Sequence, residues 1–292
     1  MGHFPYPVCV AIGTIDGVGS TGVLADIKVF MALSCYGAAA ATSVITQRRE
    51  AALCRVQVCM QTSAEQLRAQ LETLASSLPI RAVKIGYIPE AHLIAVVEQW
   101  LRAQSRVPVV IDPIILTSQG VPLTNPAVIR GLCEQLLPLG TLATPNRLEA
   151  AMLAGMDECL DIADMEEAAT RLRARYGCPI LVTGGGIGGR HIDLLAALDG
   201  ISHFESPTVP RSKIAGTGCA HSAAITACLA KGDSLREAIL GAKAYVQGAL
   251  RGAPTLPDGQ GLLWHGFTVR DEALAEVSAT DFGLPSSTHA AF

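Results

Sequence analysis

Charge is scarce in this chain. Asp, Glu, Lys and Arg make up 16% of its 292 residues, against about 25% in an ordinary globular domain. Aromatic residues reach only 4%, while AVILMFWYC residues reach 50%. That balance excludes a disordered chain, which needs low hydrophobicity and high net charge. A basic block is missing too: 22 basic and 26 acidic residues leave a net charge of −4, so no nucleic-acid footprint is expected. No CxxC pair occurs among the nine cysteines at positions 9, 35, 54, 59, 133, 159, 178, 219 and 228. Neither a disulfide framework nor a Cys-based zinc site is indicated, and most of these thiols read as small buried hydrophobes in a reducing compartment. No apolar run approaches 18 residues, and even Tyr36–Thr46 is interrupted by Thr and Ser. Met1–Pro7 lacks the charged start and apolar run of a signal peptide. The expectation is a cytoplasmic protein with no membrane partner. Its core has little polar surface, as in a parallel sheet covered by helices on both faces, and part of the low charge fits a buried oligomer interface.

What is present is alternation. Short β-rich runs stand at Val8–Gly13, Gly37–Thr46, Leu53–Cys59, Ala82–Ile85, Pro108–Asp112, Thr141–Thr144, Pro179–Thr183, Asp193–Leu198 and Ser202–Ser206. Helical patterns fill Gly22–Leu33, Ser63–Ser77, Glu90–Ala103, Pro126–Leu137, Arg147–Ala154, Asp164–Tyr176, Gly218–Ala230 and Leu235–Arg251. Ser63, Asp164 and Ser234 stand where N-caps belong. Repeated strand–helix units imply a doubly wound α/β sheet. No linker, charge run or 20–50-residue repeat divides the chain, so residues 1–266 read as one domain and 267–292 as a surface tail.

In such sheets ligands bind at the carboxyl ends of the strands, where helix N-termini point their N–H groups. Gly17-Val-Gly19-Ser-Thr-Gly22 matches GxGxxG after a strand and before a helix. A dinucleotide site also needs an acid at the end of the second strand, but that strand ends Val44-Ile-Thr46-Gln47. No Gly-Lys-Ser/Thr follows any glycine loop, so a Walker A loop is excluded as well. Gly216-Thr217-Gly218-Cys219 is the strongest local signal. Its glycines let the backbone approach an anion closely, and a thiol in the first helical turn feels the macrodipole, which lowers its pKa. The plainer alternative is a small apolar residue packed against a glycine turn. Asn146 and Glu149 lie three apart at a helix start, as a capping pair or as polar groups holding Mg²⁺ through water beside a polyphosphate. Asp112, ending a buried strand before Pro113, has no such structural excuse. His191, His203, His221 and His265 lack metal-ligand spacing and read as surface or core histidines.

With these loops in order, the chain resembles the hydroxymethylpyrimidine/phosphomethylpyrimidine kinases of thiamine biosynthesis, within the ribokinase-like superfamily. The resemblance runs from about Val8 to His265. It rests on Thr14-Ile-Asp16-Gly-Val-Gly19-Ser-Thr-Gly22-Val-Leu-Ala-Asp26-Ile-Lys28, Thr42-Ser-Val-Ile-Thr46-Gln47, Lys84-Ile85-Gly86-Tyr87-Ile88, Val110-Ile-Asp112-Pro113-Ile-Ile115, Leu142-Ala-Thr144-Pro145-Asn146-Arg-Leu-Glu149-Ala150 and Gly216-Thr217-Gly218-Cys219. Pyridoxal kinases of the superfamily end the last motif in Asp, so the Cys points to the pyrimidine branch.

The resemblance implies a three-layer α/β/α fold with a mostly parallel central sheet. It also implies ATP and Mg²⁺ as cofactors, a small aminopyrimidine alcohol or its phosphate as substrate, and a homodimer. Asp26, Gln47, Tyr87 and Gly22 would then bind the substrate. Asn146, Thr183, Gly185, Thr217 and Lys213 would serve ATP, Glu149 and Asp112 the metal. Gly216 and Gly218 would cradle the transferring phosphate, and Cys219 would take the proton from the substrate. The chain departs from the pattern in losing two lysines, at Ser118 and Thr183. Lys213 and Arg211 are the basic residues near enough in sequence to stand in. Two other expectations remain open: a pyridoxal kinase, and a homologue that binds a pyrimidine without turnover.

Overall fold

The computed structural model describes residues 4–50, 53–104, 107–117, 120–187, 189–209, 214–256 and 259–268, with backbone alone for 47–50, 53–59 and 185–187. The chain opens with β1 (Val8–Asp16), α1 (Gly22–Ala32), β2 (Tyr36–Glu50), β3 (Leu53–Gln61), α2 (Ala64–Ser77), β4 (Ile80–Ile85), α3 (Ala91–Ala103) and β5 (Val109–Ile111). Then come α4 (Pro126–Gly131), which runs on through a π-helical stretch at Leu132–Leu136, β6 (Leu142–Ala143), α5 (Arg147–Ala154), α6 (Ile162–Tyr176), β7 (Ile180–Ile187), β8 (Arg190–Ala197) and β9 (Gly200–Pro207). The last elements are β10 (Ile214–Ala215), α7 (Thr217–Lys231), α8 (Leu235–Arg251), β11 (Gly261–Leu262) and a 3-10 turn, His265–Thr268.

Nine strands form one sheet in the order β3-β2-β1-β4-β5-β6-β7-β8-β9. From β2 to β7 every neighbouring pair is parallel. The edges are antiparallel, β3 on β2 and the β7-β8-β9 meander. The reason is chain length: two residues each separate β7 from β8 and β8 from β9, too few for a parallel crossover. Side chains alternate between two cores. Val10, Ile12, Val83 and Ile85 face Leu67, Ile94, Leu132 and Leu172, on the side of α2 to α6. Cys9, Ala11, Ala82 and Val110 face the small residues Ala220, Ala223, Ala227, Ala238 and Ala242 of α7 and α8, with Val29 and Phe30 of α1. Apolar burial on both faces of the sheet explains the low charge content.

Cys9, Cys35, Cys133, Cys159, Cys178 and Cys228 are buried free thiols, as their scatter suggested. Ser63 and Ser234 cap their helices through reciprocal capping boxes. The cap of α6 is Asp161, not Asp164. Asp164 stands at the third helical position and returns the bond to the Asp161 backbone. At the point where a tail was expected, Phe267 still packs on Tyr245, with ring centroids 5.3 Å apart. Thr268 Oγ1 donates to the Ala32 carbonyl at 2.9 Å, and residues 269–292 lie outside the described residues.

Candidate active site

The site grows from the carboxyl edge of the parallel strands. Asp16, the last residue of β1, is 1% exposed and organises the loop that follows. Its carboxylate accepts from the Val18 N–H at 3.2 Å, Ser20 Oγ at 3.2 Å and Thr21 Oγ1 at 2.9 Å. Gly22 then opens α1 at φ +64°, where a Cβ would stand 2.3 Å from the Thr14 carbonyl oxygen. Gly216, at φ +88°, caps α7, and a Cβ there would stand 2.0 Å from the Ser20 carbonyl oxygen. Only glycine fits at either position. The loops that open α1 and α7 are therefore interlocked. No side chain caps α7, Thr217 and Gly218 form its first turn, and the space beside Gly218 is open.

Beneath this junction lies a buried cluster of charge. Lys84 shares the β4 row of Ala82, so it projects toward α1 and α7. Its Nζ meets Asp26 Oδ1 of α1 at 2.6 Å, the two side chains being 1% and 2% exposed. One strand over, Asp112 follows β5 on the Val110 face and accepts from Ser222 Oγ of α7 at 2.9 Å. Burial raises the Asp112 carboxyl, against Lys84 and hydrogen bonds from Ser222 and the Cys219 thiol. Burial likewise lifts Asp26 to about 6, opposed by Lys84. The expectation that the helix start lowers the Cys219 thiol is overturned. Burial, with the Asp112 and Asp26 carboxylates beside it, pushes that thiol up to about 12, against the pull of Lys84 and of the Gly22 N–H. The proton accordingly sits on sulfur and is shared with Asp112.

The neighbouring strand ends hold the residues expected to serve ATP and metal. Asn146 caps α5 and accepts from the Glu149 N–H at 3.0 Å. Glu149 returns the bond to the Asn146 N–H at 3.1 Å and takes a second from the Ile115 N–H at 3.2 Å. Burial, with Asp112 adding to it, raises Glu149 to about 8. Both carboxylate oxygens are thus engaged with backbone, and no group of three His, Cys, Asp or Glu among the described residues can hold a metal ion. This donor set fits Mg²⁺ reached through water, not Mg²⁺ bound directly. Thr183 bridges to Asn146, its N–H donating to the Pro145 carbonyl at 2.9 Å, so those two expected residues are neighbours. Gly185 lies in β7 where the ladder to β8 shifts register, between Thr183 and Gly186. Tyr87 follows β4, its hydroxyl donating to the Leu123 carbonyl at 3.0 Å. Gln47 belongs to β2, but its side chain is outside the described residues, as are Ser118, Arg211 and Lys213 altogether.

Sequence reasoning gave no role to Lys84, although it stands in a quoted motif, and missed Ser222 and a second buried pair, Lys243 Nζ with Asp193 Oδ2 at 2.6 Å. Asp193 Oδ1 also accepts from the Gly184 N–H at 3.1 Å, beside the register shift of β7. The available signal was a lysine inside an apolar strand, which demands a buried partner. Of the four histidines singled out from the sequence, His221 and His265 are buried, and His203 meets Glu166 at 3.1 Å.

Residues 16–264 match the family profile described as phosphomethylpyrimidine kinase. The chain belongs to that family. It is 35% identical over 255 residues to a hydroxymethylpyrimidine/phosphomethylpyrimidine kinase of Rhizobium meliloti, covering 87% of this chain and 94% of the relative. It is 32% identical over 244 residues to a pyridoxine kinase of Bacillus subtilis, covering 83% and 89%. Among solved structures, the pyridoxal kinase of Staphylococcus aureus in complex with AMP-PCP and pyridoxal superimposes with a TM-score of 0.81 at 28% identity, over 91% of this chain and 96% of that one. The ribokinase-like fold expected from the sequence is therefore the fold of this phosphomethylpyrimidine kinase family member.

Proposed function

We propose that the protein transfers a phosphoryl group from ATP to the hydroxymethyl oxygen of 4-amino-5-hydroxymethyl-2-methylpyrimidine, to its monophosphate, or to both. The observation that carries this reading is the position of Cys219. It lies at the uncapped start of α7, hydrogen-bonded toward Asp112 and adjoining the Asp26–Lys84 pair. Phosphoryl transfer asks the protein mainly for positioning and charge stabilisation. The first-turn N–H groups of Thr217 and Gly218 point at the transferring phosphoryl, favoured by the helix dipole. Cys219 and Asp112 together accept the proton that the attacking hydroxyl gives up, Asp112 drawing on its hydrogen bond to the thiol. Asp26 keeps one carboxylate oxygen on Lys84 and turns the other to the amino group of the ring, with Gln47 and Tyr87 as further ring partners. Mg²⁺ bound with ATP would supply charge neutralisation at the phosphate oxygens, and Asn146 and Glu149 would hold it through water. The same reading carries a cytoplasmic homodimer, testable by sedimentation.

A second reading changes the substrate to pyridoxal. It is favoured by the pyridoxine kinase relative and by Tyr87, an aromatic side chain beside the substrate position. One experiment decides among these and a protein that only binds. ATP consumption is measured with the pyrimidine alcohol, its monophosphate and pyridoxal, alongside calorimetric binding of each. Turnover with either pyrimidine above pyridoxal supports the proposal. Turnover with pyridoxal alone selects the second reading, and binding without turnover removes the kinase.

A further inference from the structure

Strand β2 carries one residue more than β1 beside it. The two pair in step as far as Gly13 with Ala41 and resume at Thr14 with Ser43, so Thr42 has no partner on β1. Such a bulge is rare between parallel strands, and bulges recur beside active sites, where they re-aim a side chain. Here it is fastened at both ends. Gln70 of α2 accepts from the Ala41 N–H at 2.8 Å and donates to the Ala41 carbonyl at 3.3 Å. Ser43 Oγ donates to Thr14 Oγ1 at 2.9 Å, and that hydroxyl donates to the Ser43 carbonyl at 3.2 Å. Thr42 itself is fully buried, and its carbonyl accepts from the Thr62 N–H at 3.0 Å. Its hydroxyl goes elsewhere: Thr42 Oγ1 donates to the Tyr87 carbonyl at 2.8 Å. Since β1 lies between β2 and β4 in the sheet, this bond spans a whole strand. It does so beside Gly13, where a Cβ would stand 3.6 Å from the Tyr87 nitrogen.

Tyr87 stands where β4 has left the sheet. The last β4–β1 pair is Ile85 with Ile12, and the Gly86 N–H then donates to the Ile12 carbonyl at 2.8 Å. A backbone carbonyl past the end of a ladder still needs a donor, and Thr42 supplies it. The far end of the same residue is held as well, the Tyr87 hydroxyl donating to the Leu123 carbonyl at 3.0 Å. Gly86 brings this segment against the Asp26–Lys84 pair, a Cβ there standing 3.9 Å from Lys84 Nζ. We propose that Thr42 is a positioning residue for the substrate: its hydroxyl, placed by the extra residue of β2, holds the Tyr87 backbone so that the aromatic side chain forms a fixed wall of the ring-binding half of the site. The inference rests on the proposed function, in which Tyr87 meets the substrate ring. The bonds of the bulge run among β1, β2, α2 and the end of β4, not to α5 or α7, so ring affinity and phosphoryl transfer separate in the test.

Thr42→Val keeps the shape of the side chain and removes its donor, whereas Thr42→Ser keeps the donor and removes the methyl group. Calorimetry measures binding of the pyrimidine alcohol, or of pyridoxal if that is the ring the wild type binds, and separately of ADP with Mg²⁺. Steady-state kinetics supply KM and kcat. Thr42→Val is expected to weaken ring binding by about five- to tenfold, as for the loss of one hydrogen bond, and to raise KM for the ring by the same factor. Its kcat and ADP affinity are expected to stay within about twofold of wild type, the pattern of lost uniform binding. Thr42→Ser is expected to restore ring affinity to within about twofold of wild type. A merely structural role would weaken ring and ADP binding alike and make both follow Tm. If Thr42→Val does not fold, Thr42→Cys replaces it, because a thiol is a weaker donor, with ring binding expected to weaken by at least about threefold. Wild-type ring affinity in folded Thr42→Val or Thr42→Cys, or an equal loss in Thr42→Ser, overturns the proposal. A wild type that binds neither pyrimidine nor pyridoxal removes the substrate reading and this inference with it. Ring binding without ATP consumption removes only the kinase, and the affinities of the variants still decide the role of Thr42.

Discussion

A thiol buried beside two carboxylates acts as a base only through positive charge that opposes them, here that of Lys84 and of the Mg²⁺ that would come with ATP. With Cys219 held up near 12 by burial and by Asp112, kcat/KM is expected to climb with pH between 6 and 9 without a plateau from the thiol, measured at saturating Mg²⁺. Cys219→Ala removes the acceptor but leaves Asp26 and the ring partners. Turnover is expected to fall by about 10²–10⁴-fold while calorimetric affinity for the pyrimidine stays near wild type. Full kcat in that variant assigns the proton to another group. Glu149 gives a separate pH signature, in stability. Its folded-state pKa of about 8 lies above the ordinary 4.5. Between those values the folded protein holds a proton that the unfolded chain has lost. The stabilising contribution is complete below 4.5 and disappears as pH rises through 8. Thermal unfolding is expected to show a falling Tm from pH 5 to 8.5, and the fall to be shallower in Glu149→Gln, whose side-chain oxygen can still accept at the capping box. Parallel curves for the two proteins would mean Glu149 is not the titrating group.

At the scale of elements, most boundaries were legible because apolar period and cap residues carry them. The misreading of α6 is instructive. Asp161 and Asp164 are both acids three apart before an apolar face, and a capping box makes each bond to the other's backbone. Sequence supplies the pair without its order. Asp161→Ala is expected to cost about 1 kcal/mol in urea unfolding, and Asp161→Ser close to nothing. The antiparallel meander at β7-β8-β9 was legible as strands but not as direction, until the two-residue connections are counted. The glycine loops were legible as loops. Their interlocking was not, because the contact of Gly216 with Ser20 joins segments nearly 200 residues apart. Gly216→Ala drives a Cβ to within 2.0 Å of the Ser20 carbonyl oxygen at a φ of +88°. The α7 start must shift, and kcat/KM for ATP is expected to drop by about 10²-fold with the circular dichroism spectrum unchanged. Retention of full activity would show that the first turn of α7 does not hold phosphate.

Across the whole molecule, a pattern appears in where positive charge goes. The two lysines buried near the strand ends turn inward and are taken: Lys84 by Asp26 and Lys243 by Asp193, each at 2.6 Å. Residue reading found Asp112 at a strand end and Cys219 at a helix start, and Asp26 came only through the family resemblance. Lys84 stood in a quoted motif but received no role, because the period of a strand tells which face a side chain takes, not which residue of another layer awaits it there. The lysines expected from the family pattern stand as Ser118 and Thr183, and Thr183 lies beside Asn146, at the edge where ATP phosphates are proposed to rest. A hydroxyl there donates one hydrogen bond and brings no charge to oxygens whose charge grows in the transition state. Thr183 is only half-buried, so a longer side chain has a way out toward the phosphates, and Asp193, its register partner on β8, is already neutralised by Lys243. Thr183→Lys is therefore expected to raise ATP affinity or kcat/KM. Arg211→Ala and Lys213→Ala are each expected to lower them, since those residues are the remaining basic candidates just before β10 in the sequence. Steady-state kinetics on the four proteins, at saturating Mg²⁺ with the pyrimidine alcohol, decide it. A fast wild type that is indifferent to all three substitutions would show that Mg²⁺ and the α7 N-terminus neutralise the phosphates without help from any side-chain cation.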